Sequence, residues 1–153
     1  MRVPIQVLVY PVRRKGGEWQ YLMLRRVPER SDHWQGVTGA PEWDETVAEG
    51  ARRELLEETG LTPIELVPLD FSYSLPMQER WKPLYPDGVA EIVEHAFVAF
   101  VEAEEPTLDS VEHDAWRWCT YEEAMSLLFW PGNREALEIC HRVVLARREH
   151  DSR

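Results

Sequence analysis

Apolar and polar positions alternate from the first residues of the chain. Val3, Ile5, Val7 and Val9 interleave with Pro4, Gln6, Leu8 and Tyr10, and Leu8 leaves no fully polar side, which predicts a mostly buried strand. A turn-like Arg-Arg-Lys-Gly-Gly at 13–17 and the run 19–24 after it predict a hairpin partner. Residues 27–33 read as a charged loop around Pro28, and 34–39 as a short apolar stretch punctuated by glycine. A helix is predicted over 47–59: acidic residues precede its first turn, Gly60 stands at its C-terminal cap, and Pro63 prevents continuation. A strand over 64–74, a loop holding Pro76, Pro83, Pro86 and Gly88, and a β-rich run over 92–101 come next. An acidic loop at 102–109 precedes a short Trp-rich strand over 115–119. Thr120 and Glu123 have capping-box spacing for a helix, and Pro131-Gly132-Asn133 read as a break before an amphipathic helix over 134–148. No repeat or linker interrupts this order, so the pattern predicts one mixed α/β domain over residues 1–153.

Composition adds exclusions. At 153 residues, 44% hydrophobic and 29% charged, the chain is neither a disordered tail nor a cysteine-rich scaffold. No apolar run approaches the roughly 18 residues of a membrane span. The first ten residues lack a basic segment and cleavage site, which predicts a cytoplasmic protein without a signal peptide. A formal charge of −11 argues against nucleic acid or an anionic membrane as the main partner, although a divalent cation could still bridge the chain to a polyphosphate. Cys119 and Cys140 show no metal-like spacing and read as reduced core thiols. No zinc-binding histidine pair, phosphate-binding glycine loop or nucleophile elbow is present.

Candidate chemistry concentrates between residues 39 and 61, which hold seven of the 28 acidic residues. Glu54, Glu57 and Glu58 stand at i, i+3 and i+4 of the predicted helix, on one arc about 100° wide at about 100° per residue. Like charges so placed cost a helix a few tenths of a kcal/mol per pair. Arg53 offsets part of this through Glu49 and Glu57. Three oxygen donors on one side suit a hard divalent cation, Mg²⁺ or Mn²⁺. An ordinary solvated acidic face fits the spacing as well.

The whole segment resembles the Nudix box. Gly39, five residues, Glu45, seven residues, Arg53-Glu54-Leu55, Leu56, Glu57-Glu58, Thr59 and Gly60-Leu61 match its fixed positions, while Thr38 and Asp44 replace its usual flanking glycines. The resemblance implies the Nudix fold, an α/β/α sandwich with a mixed central sheet and a loop–helix–loop. It also implies a hydrolase acting on phosphoanhydride bonds with Mg²⁺, or Mn²⁺. Glu54, Glu57 and Glu58 would be metal ligands, with Glu54 and Glu57 counted among the catalytic residues. The Gly39 carbonyl would join the metal shell, Glu45 and Arg53 would brace the motif, and Gly60 would close the helix.

A finer similarity, to the dihydroneopterin triphosphate pyrophosphatase group of that family, rests on several segments. They are Trp-Gln-Gly-Val-Thr-Gly at 34–39, Tyr-Pro-Asp-Gly-Val at 85–89, Glu112-His113 followed by Trp118, and Trp-Pro-Gly-Asn-Arg-Glu-Ala at 130–136. It implies cleavage of dihydroneopterin triphosphate, or a dNTP such as dATP, to the monophosphate and pyrophosphate in folate synthesis. Glu112 would be an extra metal ligand or general base. Arg25 and Arg26 are candidates to grip phosphate oxygens, and Trp34, Trp81, Tyr85 and Trp130 to contact the ring. The alternatives are a dinucleoside polyphosphate hydrolase and a silent ligand-binding module, which would be expected to lose the box carboxylates kept here. Pairing of subunits through Trp and Leu of the last two helices is left open.

Overall fold

The computed structural model describes residues 1–27, 33–102, 105–108 and 113–151. The first hairpin forms as predicted but runs longer: β1 spans Ile5–Lys15 and β2 spans Glu18–Arg26, turning through Gly16 and Gly17 at positive φ. The 34–39 stretch becomes two short strands, β3 (Trp34–Gln35) on β2 and β4 (Val37–Gly39) on β1. Helix α1 covers Val47–Thr59, followed by β5 (Glu65–Pro76), a 3₁₀ turn over Glu79–Leu84, and β6 (Glu91–Phe100). Strand β7 (His113–Cys119) joins β2, and α2 (Tyr121–Leu127) and α3 (Pro131–Asp151) complete the order.

The sheet is mixed. The path β3-β2-β1-β6-β5 is antiparallel except for β1 and β6, which run parallel with Ile5 opposite Val93 and Val12 opposite Phe100. Alternation along β1 sends side chains to two cores. Val7 and Val9 meet Ala51 and Leu55 of α1 on one face; Leu8, Tyr10 and Val12 meet Ala136, Leu137, Cys140 and Val144 of α3 on the other. The α/β/α sandwich follows from that division, and truncating a fully buried anchor such as Leu55 to alanine would cost roughly 2–5 kcal/mol. Both cysteines are free thiols buried on the α3 face.

Two local readings change. The Pro131 break is instead the first residue of α3, where proline's missing N–H costs nothing and its fixed φ suits the helix. Arg134 N–H already donates to the Trp130 carbonyl at 3.1 Å. The loop predicted to hold Pro76, Pro83, Pro86 and Gly88 is shorter and more ordered: Pro76 ends β5, and a 3₁₀ turn follows over Glu79–Leu84.

Candidate active site

Helix α1 is held at both ends by local chemistry. Thr46 caps it: its hydroxyl accepts from Glu49 N–H at 3.1 Å, and the Glu49 carboxylate accepts from Thr46 N–H at 2.8 Å. At the other end Gly60 takes φ 71° and donates to the Leu56 carbonyl, a left-handed cap that suits glycine. Gly50 allows close packing on the entering loop, because a Cβ there would lie 2.7 Å from Pro41 Cβ.

Arg53 ties this helix to the loop before it. Its guanidinium donates to both Glu45 oxygens at 2.9 Å, a forked pairing, and to the Ala40 carbonyl at 3.0 Å. Its remaining nitrogen reaches Glu54 and Glu57, each at 3.1 Å. Glu45 also accepts from Glu42 N–H at 2.8 Å, and the Arg53 hydrogen bonds hold its carboxyl below the usual range. One cation thus fixes residues 40–45 against α1.

A cleft of about 550 Å³ opens beside this junction. Glu54 and Glu58 line it together with Thr38, Gly39, Ala40 and Arg26. Gly39 and Glu54 are packed so tightly that a Cβ on Gly39 would fall 2.2 Å from Glu54 Cδ. Glu58 is buried, with His113 Nδ1 of β7 at 4.0 Å. Glu57 departs from the expected convergence: its exposed carboxylate turns to Arg53, and it does not line the cleft. Among the described residues, no compact group of three acidic, histidine or cysteine side chains is assembled. The oxygen donors of Glu54 and Glu58 at one wall, with a glycine backbone against them, fit a hard divalent cation better than a soft one.

The other candidates divide. Tyr85 is buried and lines the cleft, and Arg26 lines it too. Arg25 instead bonds Asp114 at 2.8 Å, and that bond lowers the aspartate's affinity for protons. Trp34 pairs with Arg25 across β2 and packs, half-buried, on the α3-face core. Trp130 is half-exposed, edge-on to Phe129, whose ring stacks on His33 at 4.7 Å. Neither Trp34 nor Trp130 lines the cleft. Glu112 lies outside the described residues. Trp81, also a ring candidate, lines the cleft with Tyr85, whereas Arg2, Gln6 and Trp43 line it without any signal in the sequence pattern. Trp43 Nε1 donates to the Met1 carbonyl at 2.5 Å, and Arg2 N–H to the Leu84 carbonyl at 2.7 Å, which close the N-terminal wall. Nothing in the local spacing announces those long-range bonds.

The chain matches the NUDIX domain over residues 3–140. It belongs to the Nudix family. Among curated relatives, it is 30% identical over 130 residues to an RNA pyrophosphohydrolase of Caulobacter vibrioides, covering 80% of this chain and 73% of that one. It is 33% identical over 122 residues to the dihydroneopterin triphosphate diphosphatase of Haemophilus influenzae, covering 76% and 75%. A Myxococcus xanthus protein named octanoyltransferase is 34% identical over 132 residues, but this Nudix chain spans only 35% of its length. The solved structure of a Listeria monocytogenes NUDIX hydrolase superposes with a TM-score of 0.82 at 29% identity, covering 95% of this chain and 97% of that one. Among the described residues, no helix is long and apolar enough to cross a membrane.

Proposed function

We propose that this Nudix chain is a divalent-metal-dependent pyrophosphohydrolase. It would cleave a ring-bearing triphosphate, dihydroneopterin triphosphate or a dNTP such as dATP, to the monophosphate and pyrophosphate. The observation that carries the reading is the single cleft in which Glu54 and Glu58 face the same space as Arg26 and the apolar Tyr85 wall. Acidic oxygens, a cation and an apolar wall match the three parts of such a substrate. The Haemophilus relative's name favours the pterin.

Glu54, Glu58 and the Gly39 backbone would hold Mg²⁺, or Mn²⁺, which when bound neutralises phosphate charge and acidifies water. Glu57 would join them only by leaving Arg53. Arg53 and Glu45 keep Gly39 and Glu54 in register across the loop–helix junction, a supporting role that metal sites require. Arg26 would pair with phosphate oxygens and stabilise charge building on the departing pyrophosphate. By family resemblance Glu112 is the proposed acceptor of the attacking water's proton.

A released-phosphate assay tests this with Mg²⁺, with and without added pyrophosphatase. Its substrates would be dihydroneopterin triphosphate, the common dNTPs, diadenosine tetraphosphate and a nucleotide sugar. Pyrophosphate from the pterin or a dNTP, abolished by chelation, is the expected result. A nucleoside triphosphate released from diadenosine tetraphosphate alone would assign the chain to dinucleoside polyphosphates instead. Silence on all would overturn the catalytic reading.

A further inference from the structure

A buried carboxylate stands beside the cleft without belonging to the Nudix box. Glu94 lies in the middle of three neighbouring strands, opposite Gln6 of β1 and opposite Tyr73 of β5. Directly opposed residues share a face, so the three side chains meet on the α3 side of the sheet. Gln6 Nε2 donates to Glu94 Oε2, and the Tyr73 hydroxyl donates to Oε1. From α3, Asn133 Nδ2 donates to the Tyr73 oxygen at 2.8 Å and lies 3.4 Å from Glu94 Oε1. The Asn133 carbonyl in turn accepts from Tyr10 at 2.7 Å.

Packing alone does not call for this arrangement. The next residues of β6 on the same face, Ala96, Val98 and Phe100, fill the core with apolar groups. A carboxylate in such a place is costly, and a well-packed apolar residue there is often neutral or stabilising. Burial raises Glu94 to about 7 despite the Tyr73 and Gln6 hydrogen bonds.

What the carboxylate does have is a client at the surface. Gln6 is half-buried and lines the cleft with Ile92 and Tyr85. Its neighbour Val7 pairs with Gly39 across β1 and β4, so Gln6 lies within one residue of the strand that carries the metal-facing backbone. When ionised, Glu94 can only accept, so it takes the nitrogen end of the Gln6 amide, and the oxygen is the end that Glu94 does not hold.

Resting on the function proposed above, we propose that Gln6 contacts the substrate's heterocycle, its carbonyl oxygen accepting from a ring N–H or exocyclic amino group. Glu94 is the positioning residue that fixes the amide's orientation. Glu94→Gln gives a distinctive consequence. A glutamine at 94 keeps one oxygen for Tyr73 and Asn133 and turns its NH₂ toward Gln6. Gln6 must then flip its amide and present nitrogen to the cleft. The acceptor is lost although Gln6 itself is untouched.

The test is calorimetric titration well above pH 7, where Glu94 is ionised, with Mg²⁺ present, of the unaltered chain, Gln6→Met and Glu94→Gln. The ligands are dihydroneopterin monophosphate, dAMP and inorganic pyrophosphate as the ringless reference. The unaltered chain should bind one ring-bearing monophosphate. Gln6→Met should weaken that binding relative to pyrophosphate about tenfold, the scale of one lost polar contact in a site. Glu94→Gln should weaken it by a similar factor. An unchanged ratio in Gln6→Met, or no ring-bearing ligand bound by the unaltered chain, overturns the proposal. A changed ratio in Gln6→Met with none in Glu94→Gln overturns the positioning role. Should Glu94→Gln fail to fold by circular dichroism, Gln6→Met at the cleft surface still decides the contact. These readouts need no turnover, so ring-dependent binding without pyrophosphate release would reject the enzymatic reading while leaving this one standing.

Discussion

Gly39 and Glu54 occupy space that only a residue without a side chain can share: a Cβ at 39 would stand 2.2 Å from Glu54 Cδ and 2.4 Å from its Oε2. The contact involves the end of a side chain, so Gly39→Ala would move the carboxylate more than the backbone. We expect the fold to persist and turnover with Mg²⁺ to drop roughly 10–100-fold, the scale of losing a metal ligand's support. Steady-state rates across a Mg²⁺ titration check this, and an unchanged Mg²⁺ requirement would mean that Glu54 is not a ligand.

Arg53 makes its contacts through geometry that lysine lacks. Arg53→Lys keeps the charge but cannot reach both Glu45 oxygens, Ala40 and two further carboxylates at once. The expected result is Mg²⁺ affinity lower by roughly 10–100-fold with a small change in stability. Comparing the Mg²⁺ concentration for half-maximal rate with the thermal midpoint separates the two effects.

Divalent cations should stabilise the folded chain. An ion bound at 100 times its dissociation constant adds about 2.7 kcal/mol, which for a domain of this size raises the melting temperature by roughly 5–10 °C. Glu54→Gln and Glu58→Gln should each remove most of that shift. A Mg²⁺-induced shift that survives in both variants would place the ion elsewhere.

Glu94 predicts a pH dependence of stability. Its folded value, about 7, lies above the ordinary 4.5, so the folded chain holds this proton where the unfolded chain releases it. The favourable contribution is complete below about 4.5 and is lost as pH rises toward about 7. Urea unfolding across that window should show stability falling with pH, and the slope should flatten in Glu94→Gln. An identical slope in both chains would assign the titration to other groups.

The box helix was legible because its signals are local. Gly60 and Pro63 end it, and the carboxylate spacing sets its acidic face; the Thr46–Glu49 capping box was also there to be read in the spacing. The course of Glu57 was less legible, since helical geometry gives the arc but not the rotamer that Arg53 selects. Position 131 misled because proline ends a helix from inside and starts one from its first turn. The Gln6–Glu94–Tyr73 cluster was invisible for a different reason. Its members are brought together only by strand register, which no window of neighbouring residues contains.

Strand β1 is bonded on its two edges to β2, β4 and β6, and its parallel partner begins at Glu91, more than half the chain away. During synthesis the hairpin, β4 and α1 can emerge and associate early, while the remaining edge of β1 waits for β6. Long-range closure of that kind slows folding, and an unpaired strand edge is prone to aggregate until it is covered. The Gly39–Glu54 contact can therefore take shape on the nascent chain, whereas the Gln6–Glu94 pairing beside the cleft can form only after residue 94 has left the ribosome.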